Sequence, residues 1–190
     1  MSTSTTTIPA TLTGDYTLDP SHSRIGFVAR HAMVTKVRGS FNEFEGSGHL
    51  DAEEPSRSQL ALTIRAASID TRSVDRDAHL RSNDFFDMER YPEISFVSTA
   101  VEPRGDDRYR VTGDLTIKGV TKPVSVDFEF AGAATDPFGN ERIGLEGATT
   151  INRKDWGVNW NAALDAGGVL VSDKVVLEFE VSAIRNGDEQ

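Results

Sequence analysis

The sequence predicts an all-β domain whose strands share one interior, as a barrel or a two-sheet sandwich. Two observations carry this. Six or seven stretches alternate apolar and polar residues with a period of two, as a sheet with one buried face requires. Only one segment, residues 75–90, reads as a helix, so the strands have little but one another to cover their apolar faces.

In chain order, Ile25, Phe27 and Ala29 alternate with Arg24, Gly26, Val28 and Arg30, and Leu60, Leu62, Ile64 and Ala66 with Ala61, Thr63, Arg65 and Ala67. Strands follow over 94–101 and 109–117, divided by the turn residues 102–107, and a second turn over 118–123 precedes Val124, Val126, Phe128 and Phe130. Asp136-Pro137-Phe138-Gly139-Asn140 turns the chain into 143–151, which carries Leu145, and Val175, Leu177, Phe179 and Val181 mark the last strand. Short connections predict sequential antiparallel neighbours. Two segments interrupt the meander. Residues 75–90 are rich in charge yet include Leu80, Phe85, Phe86 and Met88, and Pro92 forces Tyr91 out of helical geometry. They read as a cap on one barrel end, or as a gate whose Phe85 and Phe86 touch a ligand. Residues 152–171 show neither period, and a loop of about twenty residues is more often functional than idle. It belongs at the barrel mouth, with Trp156 and Trp160 seeking an apolar surface there.

The chain of 190 residues divides most simply into a disordered tail, 1–13, one domain, 14–186, and a short C-terminal tail, 187–190. With 20 Lys and Arg against 30 Asp and Glu, the net charge of −10 opposes binding to nucleic acid or anionic lipid surfaces. Cysteine is absent, which excludes disulfides and thiolate metal sites. The N-terminus lacks the basic and apolar regions of a secretory signal, and no window approaches the roughly 20 apolar residues of a membrane span. The expected location is the cytoplasm, without membrane insertion.

Several motifs resemble the YceI-like family of polyisoprenoid-binding, lipocalin-like proteins. They are Tyr16-Thr17-Leu18-Asp19-Pro20-Ser21-His22-Ser23, Phe27 to His31, Val37-Arg38-Gly39-Ser40-Phe41 and Arg76-Asp77-Ala78-His79-Leu80. Asp84-Phe85-Phe86-Asp87, Tyr91-Pro92-Glu93-Ile94-Ser95-Phe96, the stretch from Gly113 to Val124, and Ile151 to Val158 extend the match across nearly the whole chain. The resemblance implies an extended eight-stranded antiparallel lipocalin-like barrel, with the short capping helix near 75–90, around an elongated apolar tunnel. That tunnel would hold a polyisoprenoid, an isoprenoid quinone or a similar lipid. Some family members are secreted, a location this N-terminus does not support. The family often forms homodimers, so a second copy is a candidate partner.

Periodicity alone leaves the interior open, since an eight-stranded barrel is either filled or holds one small ligand. The inward set, and so the expected lumen wall, is Ile25, Phe27, Leu60, Leu62, Ile64, Ile94, Phe96, Val126, Phe128, Phe130, Leu145, Leu177 and Phe179, to which Phe41 is added. His31 continues the inward series at its end. His22 and His79 lie in family motifs beside Asp19 and near Asp77, whereas His49 has no such context. No His-x-x-x-His or His-x-His pair supports a metal, and no metal or cofactor is expected beyond the bound lipid. The histidines are more often satisfied polar groups that pin a strand end or a helix; the other reading makes them, with Arg76 and Arg153, polar contacts for a ligand head group, His31 and His79 first among them. An enzyme using His31 or His79 with a carboxylate such as Asp77 is the alternative. Without a Gly-x-Ser-x-Gly elbow, a phosphate loop or a Cys nucleophile, the sequence favours a binding protein: a carrier, store or sensor.

Overall fold

The computed structural model describes residues 8–165 and 167–187. Its elements are β1 (Gly14–Leu18), β2 (Arg24–His31), β3 (Thr35–Phe41), β4 (Phe44–Leu50), β5 (Gln59–Arg65), β6 (Ile69–Asp70), α1 (Val74–Arg81), β7 (Glu93–Pro103), β8 (Arg108–Ile117), β9 (Val120–Thr135), β10 (Glu141–Asn152) and β11 (Lys174–Arg185).

The strands close into an eight-stranded antiparallel barrel. The single turn of 3-10 helix Pro20–His22 bends β1 into β2, and Asn42-Glu43 links β3 to β4, so each pair acts as one long strand. The two long strands pair with each other along both halves. The third is β5 with its outlier β6, which meets β3 through Ser40 and Phe41. Strands β7 to β11 follow in order, and β11 closes the ring by pairing with both β1 and β2.

The period-two stretches lie in strands, except that Ala66 and Ala67 run past β5 into a turn of 3-10 helix; β1, β3, β4 and β6 lack that pattern. In β4 the inward positions are Phe44, Gly46, Gly48 and Leu50, and glycine hides the alternation. The turn expected over 118–123 is only Lys118-Gly119, both left-handed at φ 51° and 75°, and β9 starts at Val120. Pro123 therefore sits inside a strand, opposite Asp114, in the part of β9 that β10 does not reach. Its missing N–H breaks no ladder there.

The tail expected to be disordered is folded from Ile8 onward. Ile8 is 4 % exposed, and Ala10–Leu12 form a turn of 3-10 helix that accepts the Tyr16 hydroxyl at Leu12 O (2.7 Å). Residues 1–7 and 188–190 of the two expected tails lie outside the described residues.

The helix is shorter than 75–90. Ser73 caps α1 by accepting from Arg76 N, and buried Asp77 accepts from Thr71 N (2.8 Å) and Thr71 Oγ1 (2.6 Å), fastening the first turn to β6. After Arg81 the chain unwinds into turns, with Phe86 N bonded to Leu80 O and Asp87 at φ 49°. A continuing helix would hold Phe85 and Phe86 about 100° apart, one of them outside. Unwound, both reach the interior.

Candidate functional site

The barrel encloses two cavities, of about 170 and 140 Å³, that share the wall residues Ile25, Leu62, Phe96, Val126 and Phe179. They are neighbouring chambers of the barrel interior that meet at a common waist of wall residues. The first runs toward β1 and the Ile8 segment and is walled by Leu60, Phe128, Phe130 and Leu145, with Ile8, Tyr16, Val101, Val111 and Ile143. The second runs toward α1 and is walled by Phe27, Phe41, Ile64, Leu80, Phe85, Phe86, Ile94 and Leu177, with Leu115, Ile117, Val158 and Val171. Among the described residues Arg153 is the one charged side chain on that second wall.

The lumen is hollow because inward-facing positions carry glycine. Gly39, Gly113 and Gly147 each lie beneath an aromatic ring of the adjacent strand: a Cβ there would stand 2.3 Å from Phe27, 2.5 Å from Phe96 and 2.7 Å from Phe128. Each ring lies back against the wall over a missing side chain instead of projecting across the lumen. Gly46 and Gly48 leave further space on β4. The signal for a tunnel was thus present in the sequence, as glycine in the inward phase of a strand, where it ordinarily weakens packing.

Four of the expected ligand contacts are not on the wall. His31 is exposed, because the barrel ends before the inward series of β2 does; its backbone instead bridges to Val171. His79 bonds Asp84 Oδ2 through Nε2 at 2.8 Å and packs edge-to-face with Trp160 (4.5 Å) and Phe85 (5.0 Å), behind the wall that Phe85 forms. Asp77, its expected partner, is committed to Thr71. Trp160 is half-buried in that same cluster, and Trp156 is core, its Nε1–H donating to Leu115 O at 2.9 Å. Among the described residues no group of three or more His, Cys, Asp or Glu could hold a metal ion.

The arginines expected near a ligand head group spend their donors on the protein. Arg76 clamps Thr71, its Nε and Nη2 donating to Oγ1 (2.7 Å) and O (2.6 Å). Arg153 is buried, and its guanidinium donates to Ser172 O (2.9 Å), Val158 O (2.6 Å), Trp160 O (2.9 Å) and Val171 O (3.3 Å). Burial draws its pKa down, opposed by the Asp173 carboxylate. Its donors hold the 152–171 loop as a lining of the mouth, and Asn161 adds a second clasp on Val171 through both its side-chain N and O.

The model of the YceI-like domain matches residues 16–183. This chain belongs to the YceI-like family. A UPF0312 protein of Photorhabdus laumondii is 42 % identical over 147 residues, 76 % of each chain. Among solved structures, BcnA of Burkholderia cenocepacia superposes with a TM-score of 0.77 at 27 % identity, covering 87 % of this chain and 98 % of BcnA. A polyisoprenoid binding domain from Saccharophagus degradans shares the fold at TM-score 0.68 and 15 % identity, covering 90 % of this chain and 98 % of that one. No described helix is long and apolar enough to cross a membrane.

At the tunnel end away from α1, this YceI-like barrel is fastened by ions. Arg142 donates through Nη1 to Asp19 Oδ2 and through Nε to Asp136 Oδ2, both at 2.7 Å. Asp19 also accepts from Ser21 and bonds His22 Nδ1 at 2.8 Å. The hydrogen bond from Arg142, helped by Asn140 and Phe138, lowers the Asp136 carboxyl to about 2. Ser21 first, then Arg142, hold Asp19 well below the ordinary carboxylate range.

Proposed function

We propose that the tunnel binds one long apolar lipid, a polyisoprenoid, an isoprenoid quinone or a molecule of similar shape, and that the protein is a soluble cytoplasmic carrier, store or sensor of it. The observation that carries the reading is the hollow two-chambered lumen walled almost wholly by aliphatic and aromatic side chains. The Saccharophagus domain described as polyisoprenoid binding shares the fold, and the wall residues of this chain supply the argument for the ligand. Each buried methylene contributes about 0.8 kcal/mol, so ten give roughly 8 kcal/mol before association costs of several kcal/mol. A chain long enough to occupy both chambers thus binds tightly without a charged contact. That matches Arg153, whose donors are already committed to carbonyls.

Binding without turnover is favoured over the enzyme alternative because, among the described residues, the one imidazole–carboxylate pair near the second chamber, His79–Asp84, lies behind Phe85 and Trp160. The test is native mass spectrometry of purified protein before and after solvent extraction, for wild type and for Ile64→Trp. Wild type should carry a lipid at one per chain, and the folded Ile64→Trp, whose indole fills the second chamber, should carry little. Equal lipid loads in the two would remove the lumen as the binding site.

A further inference from the structure

Residues 20–42 contain Arg24, Arg30, Lys36 and Arg38 and no acidic residue, in a chain whose net charge is −10. They form the β2–β3 hairpin, and its tip offers apolar side chains to water: Met33 is 65 % and Val34 76 % exposed. Val169, also exposed, lies on the neighbouring loop, where a Cβ on Gly168 would meet the Met33 sulfur. Arg30 stands directly opposite Lys36, a like-charge pair on one face that destabilises the hairpin. Neither has a carboxylate partner among the described residues; Arg38 has Glu178 at 3.8 Å. The turn concedes more, since Ala32 and Met33 are both left-handed, at φ 51° and 63°, where Asn-Gly is the usual choice. Two unfavourable choices and two bare apolar side chains meet at one point.

We infer that this hairpin tip docks on an anionic lipid surface, Met33 and Val34 entering the headgroup layer while Arg30, Lys36 and Arg38 meet lipid phosphates. The overall negative charge does not prevent this. Glu43, the next acidic residue after the hairpin, is seven residues from Lys36, about 23 Å along the strand, whereas the Debye length at physiological salt is about 8 Å. The nearer carboxylates are Glu178, Asp165 on the loop, and Asp173, which is held by Lys154 at 3.2 Å. The tip also sits over the second chamber. Ala29 and Val171 line that chamber, and His31 bridges to Val171 while Ala32 N donates to Leu170 O (2.7 Å). A docked tip brings the bilayer to the tunnel mouth. Use of the surface for lipid exchange rests on the proposed cargo binding; docking itself does not.

Co-sedimentation of the full chain, stripped of lipid, with phosphatidylcholine vesicles containing or lacking phosphatidylglycerol tests it, at low and at physiological salt. Wild type should bind the anionic vesicles only, and more weakly as salt rises. Each basic side chain near such a surface is worth about five-fold in affinity, so Arg30→Gln with Lys36→Gln should lose roughly 25-fold. Ala32→Asn with Met33→Gly supplies the preferred turn; it should raise the melting temperature and still lower vesicle binding about tenfold or more. Phe138→Ser, at an 89 % exposed residue of the β9–β10 turn, should change nothing. The inference is overturned if wild type ignores anionic vesicles, if the turn variant binds them as well as wild type, or if Phe138→Ser loses as much. It is overturned equally if the tip variants shift a dimer to monomer without affecting vesicles, which would make the patch a contact between copies. Lipid load by mass spectrometry, read in parallel, keeps failure of docking separate from failure of cargo binding.

Discussion

Around Tyr16 and Ile143 the tunnel is closed by the buried Ile8 segment laid on strands that an ion-pair fastener ties together, whereas around Phe85 and Trp160 it is closed by a short helix, the turns after it and a loop. The walls of both chambers follow the same rule, apolar side chains at every second residue with glycine beneath the rings. The closures differ in their physics. At the first end Arg142 joins Asp19 of the β1–β2 bend to Asp136 of the β9–β10 turn, so opening it would pull strand connections apart. At the second end a few charged side chains grip backbone carbonyls: Arg153 those of the mouth loop, Arg76 that of Thr71, and Arg81 those of Ala67 and Ile69. Such a cap can shift as a unit while the barrel stays intact, so cargo is expected to pass there.

The largest effect should come from Arg153→Met. It leaves the carbonyls of Val158, Trp160 and Ser172 without that donor, while Val171 O keeps the Asn161 amide, at a cost of about 3 kcal/mol or more, or a melting temperature lowered by roughly 6–12 °C. Hydrogen exchange should rise across 158–165 and 167–172 and not in β8 to β10. A uniform rise over the whole barrel would contradict a cap that is separable from the sheet.

Gly147→Ala comes next. Its Cβ would meet the Phe128 ring at 2.7 Å and Asp127 O at 2.9 Å, so the ring must swing into the first chamber, with overpacking of roughly 1–3 kcal/mol. Lipid load should fall while the second chamber keeps its affinity for short apolar probes. Unchanged load would show that glycine is not what empties the lumen.

The smallest effect separates the ends by pH. Folding lowers the Asp136 carboxyl from 3.8 to about 2 and lowers Asp19 as well, so their contribution is complete above 3.8 and lost as pH falls toward 2. Arg142→Gln removes a donor to both and should raise the pH midpoint of acid unfolding. An unmoved midpoint would mean that the ion pairs do not fasten that end.

The same contrast explains what could be read from the sequence. Strands with inward Ile, Leu, Val and Phe announced themselves, and eighteen of the residues expected to touch ligand do line the tunnel, from Ile25 to Phe179. Of the strands without a visible period, β3 and β4 are those where Gly39, Gly46 and Gly48 occupy inward positions and erase it. At the cap, residue type says less than the partners do. His31, His79, Arg76 and Arg153 look like ligand-binding chemistry, but their partners are exposed solvent, a local carboxylate and backbone carbonyls. A carbonyl contact leaves no trace in side-chain pattern, because every residue has one. α1 is shorter than its sequence pattern for a related reason: unwinding after Arg81 is favoured by two rings reaching the tunnel at once, a gain that local helix signals do not contain.

The central claim is that the two chambers form one tunnel through the waist at Val126, which is 2 % exposed and lines both. It is tested most directly by the affinities of a homologous series of isoprenoid alcohols for wild type and for Val126→Trp. Wild-type affinity should climb with each added unit until both chambers are filled, whereas the folded variant should stop gaining at about half that length. Identical chain-length profiles for the two proteins, or no gain with length in either, would contradict it.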